Sequence, residues 1–425
     1  MSIRRYLKHE DHRRLLTNVF SLGTIQIVNY ILPLLTVPYL VRILEPDFFG
    51  LLAFATATIT YFALITDYGF NLSATRQVSI HRDDSKKVNE IFNATMIIKF
   101  LLMLISFLIM CFLVYFIEKF RNHWELYMIT FGMVIGQFLF PIWLFQGMEK
   151  MKYITFINVS TKVLFTLSIF TLIREQDDYL LVQGLTSAGF IVSGTLSMIF
   201  AKRKFRVFFY LPSWFILKNH FKDGWYIFTS TLAISLFTTS TTFILGLFTN
   251  NTLVGYYAAA EKIVHAVKGL NGPVSQAIYP LISKKIHTNL RTGASFIYKI
   301  GKVIILFSFF ISLVLLIFAE PISDLLLGDQ YKPSIVLLRI MSFLPLIIAI
   351  SNLCAVQGLY NMGKADLVSK YLSLIGIVHV FLICLLIPFF GIVGAAIGVV
   401  VTEVLGTIFS IYYFKRELRA SIGNS

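Results

Sequence analysis

Long apolar runs alternate with short polar stretches along almost the whole chain. A helix needs about 20 mostly apolar residues to cross the roughly 30 Å hydrocarbon core of a bilayer. By this criterion the pattern predicts twelve membrane helices and leaves no room between them for a soluble domain. They run over residues 16–41, 48–70, 92–117, 124–146, 153–173, 179–200, 223–247, 253–281, 296–318, 334–358, 367–389 and 391–414.

The positions of lysine and arginine predict how these helices are oriented. With the N-terminus inside and the helices alternating, 27 of the 37 cations fall in inner segments and 5 in outer ones. Membrane proteins concentrate Lys and Arg in their cytoplasmic loops. Both chain ends are therefore predicted to be cytoplasmic, as an even number of crossings requires.

The composition agrees with a polytopic membrane protein. Hydrophobic residues make up 57% of the chain and charged residues 14%, against about 45–50% and about 25% in soluble domains. The net charge of +15 is mostly accounted for by the inner loops. The expected fold class is therefore an all-α polytopic membrane protein, with the lipid bilayer as a partner and no nucleic acid.

Signals for catalysis or cofactor binding are weak. Cys111, Cys354 and Cys384 lie in apolar runs without a CxxC pair, so neither a disulfide framework nor a zinc site is expected. The intramembrane residues His265 and His379 lack metal-ligand spacing. No phosphate-binding P-loop is present. We expect no metal, no cofactor and no ATP hydrolysis by this chain.

Two short sequence repeats suggest an internal duplication. Gly50 and Gly255 each follow an outer turn and open an Ala-rich segment, 205 positions apart. The segments QGMEKM from Gln146 and QGLYNM from Gln357 each follow an apolar helix, 211 positions apart. Two offsets this similar predict two six-helix lobes in parallel orientation, which we place at residues 1–210 and 211–425.

Charged residues within the predicted eighth helix form a polar stripe. Glu261, His265 and Lys268 fall within an arc of roughly 60°, because successive helical residues are about 100° apart, and Lys262 borders this arc. A polar stripe on a membrane helix must face protein or water. It either lines a cavity, or Glu261 and Lys268 form an ion pair that only joins two helices.

Other charged residues also fall within membrane helices. Lys99, Lys162 and Arg339 add positive charge, although Lys99 and Arg339 are close enough to helix ends to reach the interface. With Lys262 and Lys268 they predict a net positive cavity that attracts an anionic substrate. We therefore take Arg76, Lys99, Lys162, Lys262, Lys268 and Arg339 as candidate substrate-binding residues.

A second set of residues is a candidate for gating or ion coupling. Asp67 and Arg76, near the inner end of the second helix, could form a gating pair or a plain surface pair. Glu261, His265 and Glu403 could titrate. Pro33 and Pro38 interrupt the hydrogen bonding of the first helix, and serve either as a hinge or only to shape the helix.

The first third of the chain resembles a known family. The matching stretches are Asn29-Tyr30, Pro33-Leu34-Leu35-Thr36, Pro38-Tyr39-Leu40, Phe49-Gly50, Ile65-Thr66-Asp67-Tyr68-Gly69-Phe70 and Ser73-Ala74-Thr75-Arg76. They resemble the O-antigen flippases, the Wzx proteins of the polysaccharide transporter branch of the MOP exporter superfamily. Beyond about residue 160 the resemblance lies in the helix pattern alone.

This resemblance implies two six-helix lobes around a central cavity and transport by alternating access. The implied substrate is an oligosaccharide repeat unit on undecaprenyl pyrophosphate, moved between the leaflets of the bacterial inner membrane. Other polysaccharide-assembly membrane proteins are possible partners. In this family, charged residues in the lumen are thought to act on the substrate. The resemblance carries this role to Asp67 and Arg76, which lie in a matching stretch, and to Lys262 and Lys268, which match by type and position rather than by a specific motif.

Three other functions remain open. A membrane O-antigen polymerase or glycosyltransferase would need a sizeable outer loop, but the longest predicted one covers only residues 319–333. A drug/cation antiporter of the same superfamily would be expected to favour acidic residues in its cavity. A purely structural partner of a synthesis complex is the third alternative.

Overall fold

The computed structural model describes the backbone of residues 9–423 and the side chains of residues 28–421, except 29–31 and 277. Arg4, Arg5 and Lys8 of the predicted inner N-terminal segment lie outside the described residues. Within this range the chain is helical and contains no strand, which confirms the predicted all-α class. The helices are α1 (His9–Asp67), α2 (Phe70–Ile80), α3 (Ser85–Phe116), α4 (Glu118–Arg121), α5 (Trp124–Leu139), α6 (Ile142–Gly147), α7 (Met151–Leu172), α8 (Tyr179–Phe205), α9 (Trp214–Thr238), α10 (Ser240–Phe248), α11 (Asn251–Gly269), α12 (Asn271–Thr288), α13 (Leu290–Ile317), α14 (Ala319–Leu326), α15 (Pro333–Met341), α16 (Leu344–Asn352) and α17 (Ala365–Gly423). Short 3-10 turns cover Gln176–Asp178 and Asp329–Tyr331, and a π-helix covers Leu353–Tyr360.

The twelve predicted segments all have helical counterparts in the described part of the chain. Eight helical stretches are long and apolar enough to cross a membrane, or nine if the α9–α10 pair, bent by 59°, is counted as one crossing. The last of these stretches, Ala365–Ser421, covers two predicted segments, and the first, Leu32–Ile80, covers the second predicted segment and the end of the first. The predicted eighth segment corresponds to α11 and α12, which fall outside this apolar set.

Backbone breaks separate the predicted segments within the long helices. In α1 the break is at Glu45 (φ 54°, ψ 171°), directly before Pro46, because proline disfavours a helical conformation in the residue before it. In α17 the break is at Gly391 (φ 55°, ψ −132°), where the sequence predicts a turn. The helix continues through Pro33 and Pro38, so the predicted hinge there has no static counterpart and stays a prediction.

The described chain is divided into two compact units. The first unit contains the described residues up to Leu32 together with Ala55–Leu232, and the second contains Pro33–Phe54 and the described residues from Ala233 onward. This division differs from the predicted boundary after residue 210, because Pro33–Phe54 packs with α11 and the helices that follow. The assignment of two six-helix lobes stays a prediction.

Aromatic side chains hold the core of the first unit together. Trp143 and Phe145 are fully buried in a cluster that includes Tyr68, at the break between α1 and α2. Tyr68 has a positive φ of 48°, and its ring stacks on Phe221 and Phe228 at centroid distances of 4.4 and 4.9 Å. These contacts fix the break at the end of α1. In the second unit, Tyr371 is the centre of a comparable aromatic stack.

Gly50 and Gly255, the two glycines of the first sequence repeat, lie against each other in the second unit. A Cβ atom on Gly50 would overlap the backbone of Asn251 and Gly255, and one on Gly255 would overlap the backbone of Pro46. Thr252 Oγ1 also donates to Asp47 Oδ1 at 3.0 Å. Both pairs join positions 205 residues apart. The internal duplication stays a prediction.

The glutamines of the second sequence repeat, Gln146 and Gln357, make similar contacts in the two units. In the first unit, Thr75 Oγ1 of α2 donates to Gln146 Oε1 at 3.3 Å. In the second, Gln357 Nε2 donates to Ser275 Oγ of α12 at 2.7 Å. Each glutamine thus bonds a hydroxyl on the helix that follows a break. Each unit therefore contains a glutamine–hydroxyl contact, in which Gln146 accepts and Gln357 donates.

Candidate functional site

The polar stripe of α11 lies beside a carboxylate from α17. We use the name α11 polar cluster for Glu261, Lys262, His265, Lys268 and Glu403. Lys268 Nζ lies 4.0 Å from Glu403 Oε1, and both side chains are mostly buried, at 25% and 15% exposure. The ion-pair partner of Lys268 is therefore Glu403 rather than Glu261, the partner that helical spacing suggests.

Both carboxylate oxygens of Glu261 accept hydrogen bonds from neutral side chains. Thr242 Oγ1 of α10 donates to Oε2 at 3.2 Å, and the Tyr257 hydroxyl, one turn earlier on α11, approaches Oε1 at 3.5 Å. Tyr257 is fully buried, whereas Glu261 is only half-buried. Glu261 is thus held by hydroxyl groups on one side and remains partly accessible on the other.

The two faces of α11 differ in burial. Val254, Ala258 and Ile263 are buried in the second unit, while Lys262 and His265 are exposed and Lys268 is half-buried. This placement agrees with the predicted stripe. Because two lysines and two carboxylates belong to the α11 polar cluster, it carries no net charge when both acids are ionised and His265 is neutral.

In the first unit, Asp67 pairs with a residue other than the one that the sequence suggests. Lys99 Nζ of α3 donates to Asp67 Oδ1 at 3.1 Å, and the Lys99 side chain is almost completely buried. Arg76 is exposed on α2. Asp67 is the last residue of α1, so the pair joins α3 to the helix immediately before the break at Tyr68.

The remaining cations occupy different environments. Arg339 of α15 lies 3.4 Å from Glu320 of α14, with at least half of each side chain exposed. This agrees with the helix-end alternative for Arg339. Lys162 is half-buried on α7. Of the cations predicted to line one cavity, Lys99, Lys268 and Arg339 each lie beside a carboxylate.

A buried histidine is a functional candidate that sequence reasoning misses. His379 is fully buried, and its imidazole joins Thr241 of α10 (Nε2–Oγ1, 3.0 Å) to Thr402 of α17 (Nδ1–Oγ1, 2.9 Å). The sequence does contain a signal for this site. The hydroxyl run Thr238-Thr239-Ser240-Thr241-Thr242 interrupts an apolar segment and coincides with the bend between α9 and α10.

The described residues contain no group of three or more His, Cys, Asp or Glu side chains arranged to hold a metal ion. Their three cysteines are free thiols.

Solved structures with the same fold define the class of protein. The chain superimposes with a TM-score of 0.70 on an inward-facing multidrug resistance MATE family transporter of the MOP superfamily, at 14% identity over 95% of this chain and 99% of that one. It does so equally well, again at 14% identity, on the lipid II flippase MurJ in an inward closed conformation, over 95% and 87%. At this identity the likeness shows the fold alone. The protein is a multi-pass α-helical membrane protein with the MOP-superfamily fold.

Sequence comparisons identify the family more narrowly. The chain belongs to the polysaccharide biosynthesis protein family, whose model matches residues 15–286. A putative O-antigen transporter of Escherichia coli (strain K12) is 32% identical over 400 residues, covering 94% of this chain and 96% of that protein. A putative O-antigen transporter of Shigella dysenteriae is 29% identical over 396 residues, covering 92% and 98%. The relatives are thus named as transporters rather than enzymes.

Proposed function

We propose that this protein is a flippase that moves undecaprenyl-pyrophosphate-linked oligosaccharide repeat units across the bacterial inner membrane by alternating access. The proposal is supported by full-length similarity to two putative O-antigen transporters. It places both chain ends in the cytoplasm, in agreement with the distribution of lysine and arginine. Other membrane proteins of polysaccharide assembly are its proposed partners.

The observation that carries the substrate class is the α11 polar cluster. A lysine at bilayer depth costs at least about 2.5–3.5 kcal/mol on insertion scales, so two of them within one helix need a compensating role. The 4.0 Å separation between Lys268 and Glu403 is too long for a hydrogen bond. The ammonium group of Lys268 therefore keeps N–H donors for another acceptor, and the oxygens of a pyrophosphate suit it.

The other candidate residues take different parts in this proposal. Arg76 and Lys162 are proposed as further cations that contact the anionic substrate. Lys99 and Arg339 already have carboxylate partners, and we assign them to ion pairs that shape the helix bundle.

A leaflet-accessibility assay tests the proposal. Full-length protein is reconstituted in liposomes with a short oligosaccharide on polyprenyl pyrophosphate, labelled for detection from one side. We expect translocation by the wild type, a loss of at least about tenfold in Lys268→Met, and wild-type rates in Lys332→Met, whose side chain is 69% exposed in an outer segment.

A double variant distinguishes a substrate-binding role of Lys268 from a role in which Lys268 only neutralises the charge of Glu403. In Lys268→Met/Glu403→Gln no carboxylate is left unpaired, so folding is retained if the pair is only structural. We expect this variant to fold and still fail to translocate, because the cation is missing. Restored translocation would contradict a substrate role for Lys268. Translocation of a cationic dye but not of the native lipid-linked repeat unit would instead support the antiporter alternative.

A further inference from the structure

A continuous path of hydrogen-bonding groups joins His379 to Glu261 within the second unit. His379 Nε2 lies 3.0 Å from Thr241 Oγ1. Thr241 is also hydrogen-bonded to the Tyr257 hydroxyl, which in turn approaches Glu261 Oε1 at 3.5 Å. The path therefore runs from an enclosed imidazole through two hydroxyl groups to a half-buried carboxylate.

The contacts of Thr402 determine which nitrogen of the neutral imidazole carries the proton. Thr402 Oγ1 lies 2.7 Å from the carbonyl oxygen of Gly398, to which it donates its single hydroxyl proton. It can therefore only accept from His379, so Nδ1 carries the proton in the neutral ring. Nε2 is then an acceptor, and Thr241 donates to it.

Both protonation states of this path satisfy every donor and acceptor along it. With Glu261 protonated, the carboxyl donates to Tyr257, Tyr257 to Thr241, and Thr241 to Nε2 of neutral His379. With His379 protonated, Nε2 donates to Thr241, Thr241 to Tyr257, and Tyr257 to the ionised carboxylate. One proton moves between the two ends when each hydroxyl passes on its own proton and accepts another.

We propose that Glu261 and His379 are the two ends of a proton path, and that uptake of one proton by this path enables the α11 polar cluster to bind the pyrophosphate of the substrate. The inference rests on the proposed function for the identity of the anion. With both carboxylates ionised, Glu261 and Glu403 balance Lys262 and Lys268. One added proton on Glu261 makes this group of charges net positive.

The surroundings of both ends are consistent with this role. The charges that act on Glu261 are those of Lys262 and Lys268, and the same lysines act on His265. Glu403 lies next to Lys268. His379 is enclosed by Thr241, Thr402 and the edge-on ring of Phe237 at 5.4 Å. A proton can therefore be exchanged at the accessible carboxylate and held at the enclosed imidazole.

Thermodynamic linkage between proton uptake and anion binding sets the direction and size of the pH effect on binding. If one proton strengthens anion binding, the bound anion must promote proton uptake by the same factor, and such couplings are typically about 5–150-fold. We therefore expect undecaprenyl pyrophosphate to bind full-length protein in lipid nanodiscs at least about fivefold more tightly at about pH 5 than at about pH 8, a range that spans ordinary Glu and His titration.

Matched variants test the path itself. Glu261→Gln should lose the part of the pH dependence that Glu261 contributes, because the amide mimics the neutral carboxyl at every pH. Only the titration of His265 and of the pyrophosphate itself then remains. Thr241→Val and Tyr257→Phe remove one hydroxyl each, and each should move the pH midpoint of binding by about half a unit or more, equivalent to about threefold in proton affinity. Their controls, Thr238→Val and Tyr256→Phe, remove a neighbouring hydroxyl outside the path and should keep the wild-type midpoint.

A ligand-free measurement keeps failure of the path distinct from failure of the proposed function. The ¹⁵N signal of His379, assigned by its loss in His379→Gln and its retention in His287→Gln, should show an Nδ1–H tautomer at high pH. An Nε2–H tautomer, or wild-type midpoints in both Thr241→Val and Tyr257→Phe, would overturn the path. Absence of undecaprenyl pyrophosphate binding at every pH, with the expected tautomer and its titration intact, would overturn the coupling to this substrate and leave the path standing.

Discussion

Replacing Lys99 with methionine is expected to destabilise the first unit, because the change leaves the Asp67 carboxylate without its cation in a largely enclosed position. The Lys99 side chain is 3% exposed and that of Asp67 is 26% exposed. Removal of one partner from a buried ion pair typically costs about 3–5 kcal/mol. We expect a value at the lower end, about 3 kcal/mol, because Asp67 remains partly accessible to solvent.

This free energy converts to a measurable change in melting temperature. A domain of 150–250 residues loses about 2–4 °C per kcal/mol, so Lys99→Met should melt about 6–12 °C below the wild type. The assay is thermal unfolding of the purified protein in detergent, followed by tryptophan fluorescence. Asp67→Asn should be destabilised comparably, because it leaves the buried ammonium group of Lys99 unpaired.

The double variant Lys99→Met/Asp67→Asn completes the cycle. With both charges removed, most of the lost stability should return, since replacing a whole buried pair by neutral groups is often close to neutral. A melting temperature for Lys99→Met within about 2 °C of the wild type would refute the reasoning. Translocation lost in a stable double variant would support a gating role for Asp67, and restored translocation would make the pair structural.

Two further predictions follow from local packing. Gly50→Ala should destabilise the protein by about 1–3 kcal/mol, because the added methyl meets backbone at the start of α11, whereas Gly406→Ala, with open space around its Cβ, should be neutral or stabilising. Equal melting temperatures for these two variants would contradict the close contact at Gly50. Arg339→Ala should change stability by less than about 1 kcal/mol and leave translocation intact, because exposed ion pairs contribute little. A loss of translocation at an unchanged melting temperature would support a substrate-binding role for Arg339.

The sequence was sufficient to find the charged residues of the candidate site but not their partners. Lys268 pairs with a carboxylate 135 positions further along the chain, and Lys99 with one 32 positions earlier. Helical periodicity determines which residues share a face of one helix. It does not determine which face of another helix turns toward them, because that depends on how the helices are rotated and packed.

His379 shows the same limit in a different way. In the sequence it is a lone histidine in an apolar run, and its spacing speaks only against a metal site. Its hydrogen bonds reach Thr241 of α10 and Thr402, which lies on the part of α17 beyond the break at Gly391. The clustered hydroxyls of residues 238–242 indicate a polar site within the membrane, but only the folded chain brings them to the imidazole.

The sequence by itself determined the all-α membrane class and the approximate positions of the apolar helical segments. The cost of burying polar backbone in lipid requires apolar helices long enough to cross the bilayer. Such helices are recognisable in the sequence as long apolar runs. The close contact between Gly50 and Gly255 is also reflected in the sequence, since only glycine allows two backbones to approach so closely. The partners of Asp67, Lys268 and His379, and the grouping of Pro33–Phe54 with the second unit, were decided by tertiary structure. Those outcomes depend on side-chain packing between helices that are far apart in sequence.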